Sequence, residues 1–281
     1  MPIKTHTFEI PNFAHSMYEF HGDKQYYFNM TRQVTEAYIL PFLQPHLEAG
    51  KVLDVLEIGC GEAGVLQAFT QLGHRAVGIE LEESRTELAR KFMAAELAAG
   101  QVRFLNKDVY DVDVEKDIGN QFDLVILKDV IEHIPKQELF IPQLHKFLKP
   151  GGMVFYAFPP WQMPYGGHQQ ILPGKLASRM PYYHLLPGFL YPLALKVFGV
   201  NASGVNTMLD IKSTGISIER FLKINKKSGF DTLKKDFYLF NPIYKYKFGI
   251  EPRKQAKWIS VLPWFRNFVT MGVYFLMKPT K

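Results

Sequence analysis

The chain has 281 residues, 47% hydrophobic and 21% charged, enough to close an apolar core without disulfide or metal staples. Its one cysteine, Cys60, excludes a disulfide framework and a thiolate metal cluster and fits a reducing, cytoplasmic compartment. The net charge of +6 is uneven: Lys212 to Lys281 holds 15 basic against 4 acidic residues, +11, and the rest carries −5, so only the final quarter invites an anionic partner or surface.

Residues 1–49 read as an N-terminal helical cap. The start is irregular and aromatic, and Met1 to His6 lacks the apolar stretch of a signal peptide. Asp23 is placed to cap a helix running to about Leu40, with Tyr27, Met30, Val34 and Tyr38 on its inner face. Pro41 and Pro45 kink or end it. Strands are expected at 52–58, 74–80, 102–106, 122–127 and 153–158, with helices from Val65 to Leu72, from Glu82 to Ala99 and from Lys136 to Phe147. Strands and helices alternating at this spacing mean an α/β fold with a doubly wound, mainly parallel sheet.

After residue 158 the rhythm breaks. Residues 159–215 are rich in Pro, Gly, Tyr and Trp and too long for an ordinary connection, so they form an insertion after strand five. Within it Leu185 to Val200 is apolar but broken by Pro187 and Pro192. Residues 216–281 supply a helix from Ile218 to Ser228 capped by Gly229, a sixth strand at 230–240 and a seventh at 269–277, with a basic loop between them. No run approaches the ~18 apolar residues that would span a bilayer.

The chemistry gathers at Val55-Leu56-Glu57-Ile58-Gly59-Cys60-Gly61-Glu62-Ala63-Gly64. A buried strand stops at two glycines and a helix follows, the layout of a nucleotide-binding unit. Gly59, Gly61 and Gly64 satisfy the dinucleotide spacing, and Glu80 stands where that fingerprint wants an acid. Glu57 argues the other way, because a carboxylate beside the turn repels a pyrophosphate. It suits a ligand with an ammonium and a sulfonium, and S-adenosylmethionine carries both.

The order of motifs resembles the class I S-adenosylmethionine-dependent methyltransferases, in particular the group with a Glu-His-Ile step after strand four. The resemblance is carried by Leu56 to Gly61, Gly78-Ile79-Glu80, Lys107-Asp108-Val109, Phe122 to Val125 with Glu132-His133-Ile134, and Leu148 to Gly152. It implies a Rossmann-like sheet of seven strands, mostly parallel with an antiparallel last strand. It also implies S-adenosylmethionine as cofactor and S-adenosylhomocysteine as product. Glu57 with Gly59, Cys60 and Gly61 would hold the methionine end; Glu80 would accept both ribose hydroxyls. Asp108 would receive the adenine amino group, with Leu81 and Val109 packing on the ring. Lys128 marks the wall beside the methyl group, a cation where this family often has a small or polar residue.

An alcohol acceptor must lose a proton, which singles out bases. His168 comes first, after Gly166-Gly167 in the insertion, with loop pinning as its plainer role. His133 comes second and Asp129 third; each has a structural alternative, backbone bonding and helix capping respectively. Acidic and histidine residues are not spaced as a divalent-metal site, so metal independence is expected. Trp161, Tyr165 and His168 are candidates to touch the acceptor, although most insertion aromatics are expected to fill its own small core. The leading reading is O-methyl transfer to a small-molecule or glycan-like acceptor, including one on a lipid handle. A quinone- or polyketide-like ring methylated at carbon or oxygen is the alternative, and a non-catalytic cofactor-binding module the third. Interleaved cations and rings from Tyr244 to Arg266 suit a solvated face or an anionic membrane. An Asn/Asp-Pro-Pro-aromatic step is absent after strand four, which disfavours nucleic acid, and no obligate protein partner is indicated.

Overall fold

Helix α1 (Lys24–Val34) opens the computed structural model, which describes residues 23–169, 172 and 175–280; the irregular aromatic start lies outside the described residues. Asp23 caps it, its Oδ1 accepting from the Tyr26 amide at 2.8 Å. The expected single helix to Leu40 instead loosens into a wide turn at Thr35–Ile39 before a last helical turn at Leu40–Leu43. Pro41 accounts for this: it has no N–H to continue the ladder, so the preceding turn widens.

The sheet follows. Strands β1 (Asp54–Ile58), β2 (Arg75–Glu80), β3 (Val102–Asn106), β4 (Phe122–Lys128) and β5 (Leu148–Phe158) are joined by α2 (Gly64–Thr70), α3 (Glu83–Phe92) and α4 (Gln137–Gln143). The helix expected over 82–99 breaks at Met93 and resumes at Ala94. Strand β5 begins earlier than expected: Phe122 pairs with Leu148 and Leu124 with Met153, so Lys149 to Gly152 bulge out within it.

Within the insertion, α5 (Tyr191–Val197) starts with Pro192 in its first turn, and α6 (Ala202–Thr214) is capped by Asn201. The chain then completes the sheet with α7 (Ile218–Lys227), β6 (Phe230–Phe240), α8 (Ile243–Phe248), a two-residue β7 (Arg253–Lys254) and β8 (Gly272–Pro279). Strand order is β3-β2-β1-β4-β5-β8-β6-β7. The first five strands are parallel, and β8 runs antiparallel to both β5 and β6. The expected seven strands are all present, the last shifted a few residues later; β7 is an added edge. A two-residue edge strand carries too little pattern to be read in sequence.

Both faces of the sheet are covered. Leu56, Ile58, Val125, Leu127 and Tyr156 pack under Phe140 and Phe221 of α4 and α7, while Val55, Leu124, Ile126 and Phe155 meet Phe28, Phe42 and Phe69 on the other side. β1 is buried at every residue, which is why its sequence is a nearly continuous apolar run. The insertion has its own core, built on Tyr183, Tyr191, Leu195, Val205 and Met208.

Candidate active site

At the carboxyl ends of β1, β2 and β4 the chain encloses a cleft of about 690 Å³. This is where ligands bind in open α/β sheets, beside the point at which strand order reverses. Gly59 and Gly61 build its floor with positive φ of 69° and 52°. A side chain at Gly59 would meet Val130 Cγ2 at 2.6 Å, and one at Gly61 would run into the Arg85 guanidinium. The turn is glycine because backbone conformation and space both demand it.

Glu57 ends β1 on the same side as Val55, since alternate strand residues share a face. It is 2% exposed and its Oε2 finds no hydrogen-bond partner. Burial pushes its carboxyl well above the usual range, and Lys128 only partly offsets that. Glu80 ends β2 and is fixed by backbone donors: Gly61 N–H at 2.8 Å and Glu82 N–H at 3.0 Å. Asp108 caps the short turn after β3, accepting from the Tyr110 amide at 3.0 Å. Three carboxylates from three successive strand ends thus share one cleft wall, with Leu81 and Val109 beside them. Cys60 also lines it, but burial and the neighbouring Glu57 push its thiol far up, so it is not a thiolate nucleophile.

Opposite this wall lies a cluster of mixed charge. Lys128 is nearly buried and bonds the Asp129 carboxylate at 2.5 Å, so its ammonium is spoken for locally rather than facing outward alone. Asp129 itself holds a φ of 55°. His168 follows Gly167, and successive positive φ values of 68° and 55° turn its ring into the cleft. There His168 Nε2 lies 3.2 Å from His133 Nε2, a pair able to share or pass a proton. Desolvation lowers the His133 pKa, outweighing the attraction of Asp129.

Trp161 is not in the cleft. Its indole packs against His184 and beneath Gly167, and the Lys212 ammonium lies 5.5 Å from the ring, so it is the pedestal of the turn that carries His168. Tyr165, partly exposed beside that turn, does not line the cleft either. Gly61 points its N–H at Glu80 and acts through that carboxylate.

Other site residues were not visible in sequence. Lys24, Tyr27 and Thr31 bring α1 over the cleft, and buried Glu62 ties it down, pairing with Lys24 at 3.1 Å and Arg85 at 2.9 Å. Lys247, expected as part of a basic surface loop, lies on α8, which folds back on α1 through Ile243 against Met30 and Val34. The Tyr26 hydroxyl donates to the Tyr246 carbonyl at 2.6 Å across the same contact. Desolvation brings Lys247 down to about 8, with Asp129 raising it and Lys128 opposing. Only the alternation of Tyr and Lys from 244 to 247 hinted that one cation turns inward.

This sheet order and strand-end cleft define the class I S-adenosylmethionine-dependent methyltransferase fold. A methyltransferase of Thermotoga maritima described as S-adenosylmethionine-dependent superposes with a TM-score of 0.51 at 15% identity, covering 94% of this chain and 100% of that one. A magnesium protoporphyrin IX methyltransferase of Synechocystis with bound S-adenosylhomocysteine gives 0.50 at 15%, covering 90% and 84%. Residues 56–156 match the family model described as a methyltransferase domain, and that stretch of the chain is such a domain. A ubiquinone biosynthesis O-methyltransferase of Nitrobacter winogradskyi is 32% identical over 102 residues, 36% of this chain and 37% of that protein. One from Pseudomonas aeruginosa is 32% identical over 107 residues, 38% and 44%. The chain thus aligns with less than half the length of these curated relatives. The insertion, the α1 cap and α8 all fall outside the family match.

Proposed function

We propose that the chain transfers a methyl group from S-adenosylmethionine to a hydroxyl oxygen of a small acceptor, an apolar ring being favoured over a glycan. The carrying observation is the orphaned, buried Glu57 carboxyl oxygen facing a cleft whose floor is bare backbone. A buried acid without a donor is costly unless a ligand completes it, and a ligand with an ammonium beside a sulfonium does so. Glu80 would take the ribose hydroxyls and Asp108 the adenine amino group. Leu81 and Val109 offer the ring its apolar contact.

When bound, S-adenosylmethionine supplies an electrophilic methyl, so the protein's task is alignment, exclusion of water and removal of a proton. His168 with His133 is placed for the last. The lowered pKa of His133 keeps it neutral and able to accept at neutral pH, and the Asp129 carboxylate lies within electrostatic reach of His168. Tyr27 closes the opposite side with the Lys247 ammonium 6.0 Å from its ring, near enough for that charge to favour an acceptor oxygen as it gains negative charge.

The ring-bearing acceptor is preferred over the glycan because Trp161, the best sugar platform in the insertion, faces away from the cleft. The names of the relatives, ubiquinone biosynthesis O-methyltransferases, support the same choice. Calorimetric titration with S-adenosylmethionine, followed by labelled-methyl transfer to catechols, phenols and glycans in parallel, tests the reading. Binding with label entering only phenolic oxygens is expected; absence of binding sinks it, and label in the glycans alone restores the other acceptor.

A further inference from the structure

Away from the cleft the insertion meets the segment between β7 and β8, and the surface they share is apolar. Tyr182, Leu185, Pro187, Phe265, Phe268 and Val269 line an open groove of about 540 Å³. The Tyr182 hydroxyl joins its banks by donating to the Phe268 carbonyl at 2.9 Å. Large side chains stand out on both sides: Phe189 is 78% exposed, Val197 74%, Val261 71% and Trp258 67%. Leu193 and Val197 are one turn apart on α5, which spends Tyr191 and Leu195 on the insertion core and leaves this stripe outside. Soluble surfaces scatter such residues singly; a contiguous group marks a binding face.

One of these side chains is held outward at a cost. Trp264 has φ 67° and ψ −53°, a conformation a bulky L-residue avoids. The carboxylate of Glu219 on α7 clamps it there. Its Oε1 accepts from the Trp264 amide at 2.9 Å and from Arg266 Nε at 3.0 Å, while Oε2 takes the Asn267 amide at 2.5 Å. A half-buried clamp that fixes a turn with its indole in solvent is a device for presentation, not for packing.

Charge selects what covers the face. No Asp or Glu occurs between Glu138 and Asp210, and none from Pro252 to the end of the chain. Both segments therefore contribute only cations, Arg179 and Lys196 from one, Arg253 and Lys257 from the other, while Lys254 is paired with Asp236 at 2.7 Å and the Glu219 carboxylate is taken up by Arg266. A two-fold contact between copies would set cation against cation, with Glu219 and Asp236 already engaged within the chain. Exposed tryptophans and phenylalanines beside a net excess of lysines and arginines match the interfacial layer of an anionic bilayer.

We propose that this face, formed by Leu185 to Val197 and Trp258 to Phe268, docks on an anionic lipid bilayer. Among the described residues no helix is long and apolar enough to cross a membrane, so the contact is peripheral. Docking stands independently of the methyl transfer proposed above. Where both hold, the insertion that carries His168 into the cleft also supplies one side of the docking face, and an apolar acceptor would be drawn from the same bilayer.

Flotation of the full chain with vesicles of equimolar phosphatidylglycerol and phosphatidylcholine, against phosphatidylcholine alone, tests the proposal. The parent should float with the anionic vesicles, with tryptophan emission shifting to the blue as the two exposed indoles enter the interface. Trp258→Ser/Val261→Ser should lower partitioning by about tenfold or more. Arg253→Gln/Lys257→Gln should lower it by about fivefold for each charge and weaken its salt dependence. A parent that stays unbound, or both pairs floating like the parent, overturns the proposal. So does a lipid-free dimer that Trp258→Ser/Val261→Ser dissolves, since the face would then belong to a second copy. S-adenosylhomocysteine binding, read by calorimetry on the same variants, should not change; its absence in the parent would count against the methyltransferase reading and leave docking untouched.

Discussion

The two walls of the cleft are built in opposite ways. The wall proposed for the cofactor consists of residues at strand ends, Glu57, Glu80 and Asp108, each set by its strand and the turn that follows. The wall proposed for the acceptor is assembled from the end of β4, His133, α1 and the turn that carries His168, segments far apart in the chain, with α8 backing α1 through Tyr26 on Tyr246. The family match covers the first wall and, of the second, only the strand-end group Lys128, Asp129 and His133. A cofactor of fixed shape can be read by local geometry, whereas acceptor choice is left to the elements added around the core.

That contrast can be tested wall by wall. Removing a charge from a buried ionic contact typically costs several kcal/mol, so Glu57→Gln should weaken S-adenosylmethionine binding by about 10²–10³-fold in calorimetry. Its melting temperature without ligand should not fall, because the raised carboxyl pKa shows that the empty cleft gains nothing from the charge. Loss of stability together with binding would recast Glu57 as a structural acid. On the acceptor wall, His168→Ala should leave cofactor affinity intact and slow turnover by about 10²–10⁴-fold if it takes the proton. Rescue by His168→Gln would reduce it to a positioning group.

Lys247 offers a pH test of the same wall. Its ammonium loses the proton as pH rises through about 8, so any step that relies on the charge should decline above that value. The alkaline limb of the kcat/KM profile should be present in the parent and missing in Lys247→Met. The smallest effect belongs to Glu132, in the Glu-His-Ile step, whose carboxyl is buried with neither oxygen partnered. Burial and the nearby Asp129 raise its pKa well above the usual value. Because the folded pKa exceeds the unfolded one, the penalty is absent below the ordinary carboxylate range and grows as pH rises toward the folded value. Glu132→Gln should therefore flatten part of the stability loss with rising pH and, in thermal unfolding at pH 8, add about 1–3 kcal/mol.

Much of the first wall was legible in the sequence. The apolar run of β1, the two glycines and the acids closing β1 and β2 follow from local rules: period-two burial, positive φ and one side chain per strand end. Asp23 and Gly229 likewise announced helix ends that the structure keeps. Where the reading slipped, a long-range term had intervened. Met93 breaks a helix whose composition favours continuation; Lys149 to Gly152 bulge because β5 must pair with β4 on both sides of them.

The sequence by itself determined the α/β order, the strand-end carboxylates and the place of the insertion, because each depends on neighbours within a few residues. Only the tertiary structure decided that Trp161 turns away from the cleft, that Lys247 turns inward behind Tyr27, and that Trp264 is held out to solvent by Glu219. Those outcomes depend on which distant surfaces meet, and a side chain's charge or aromaticity does not say which way it will face.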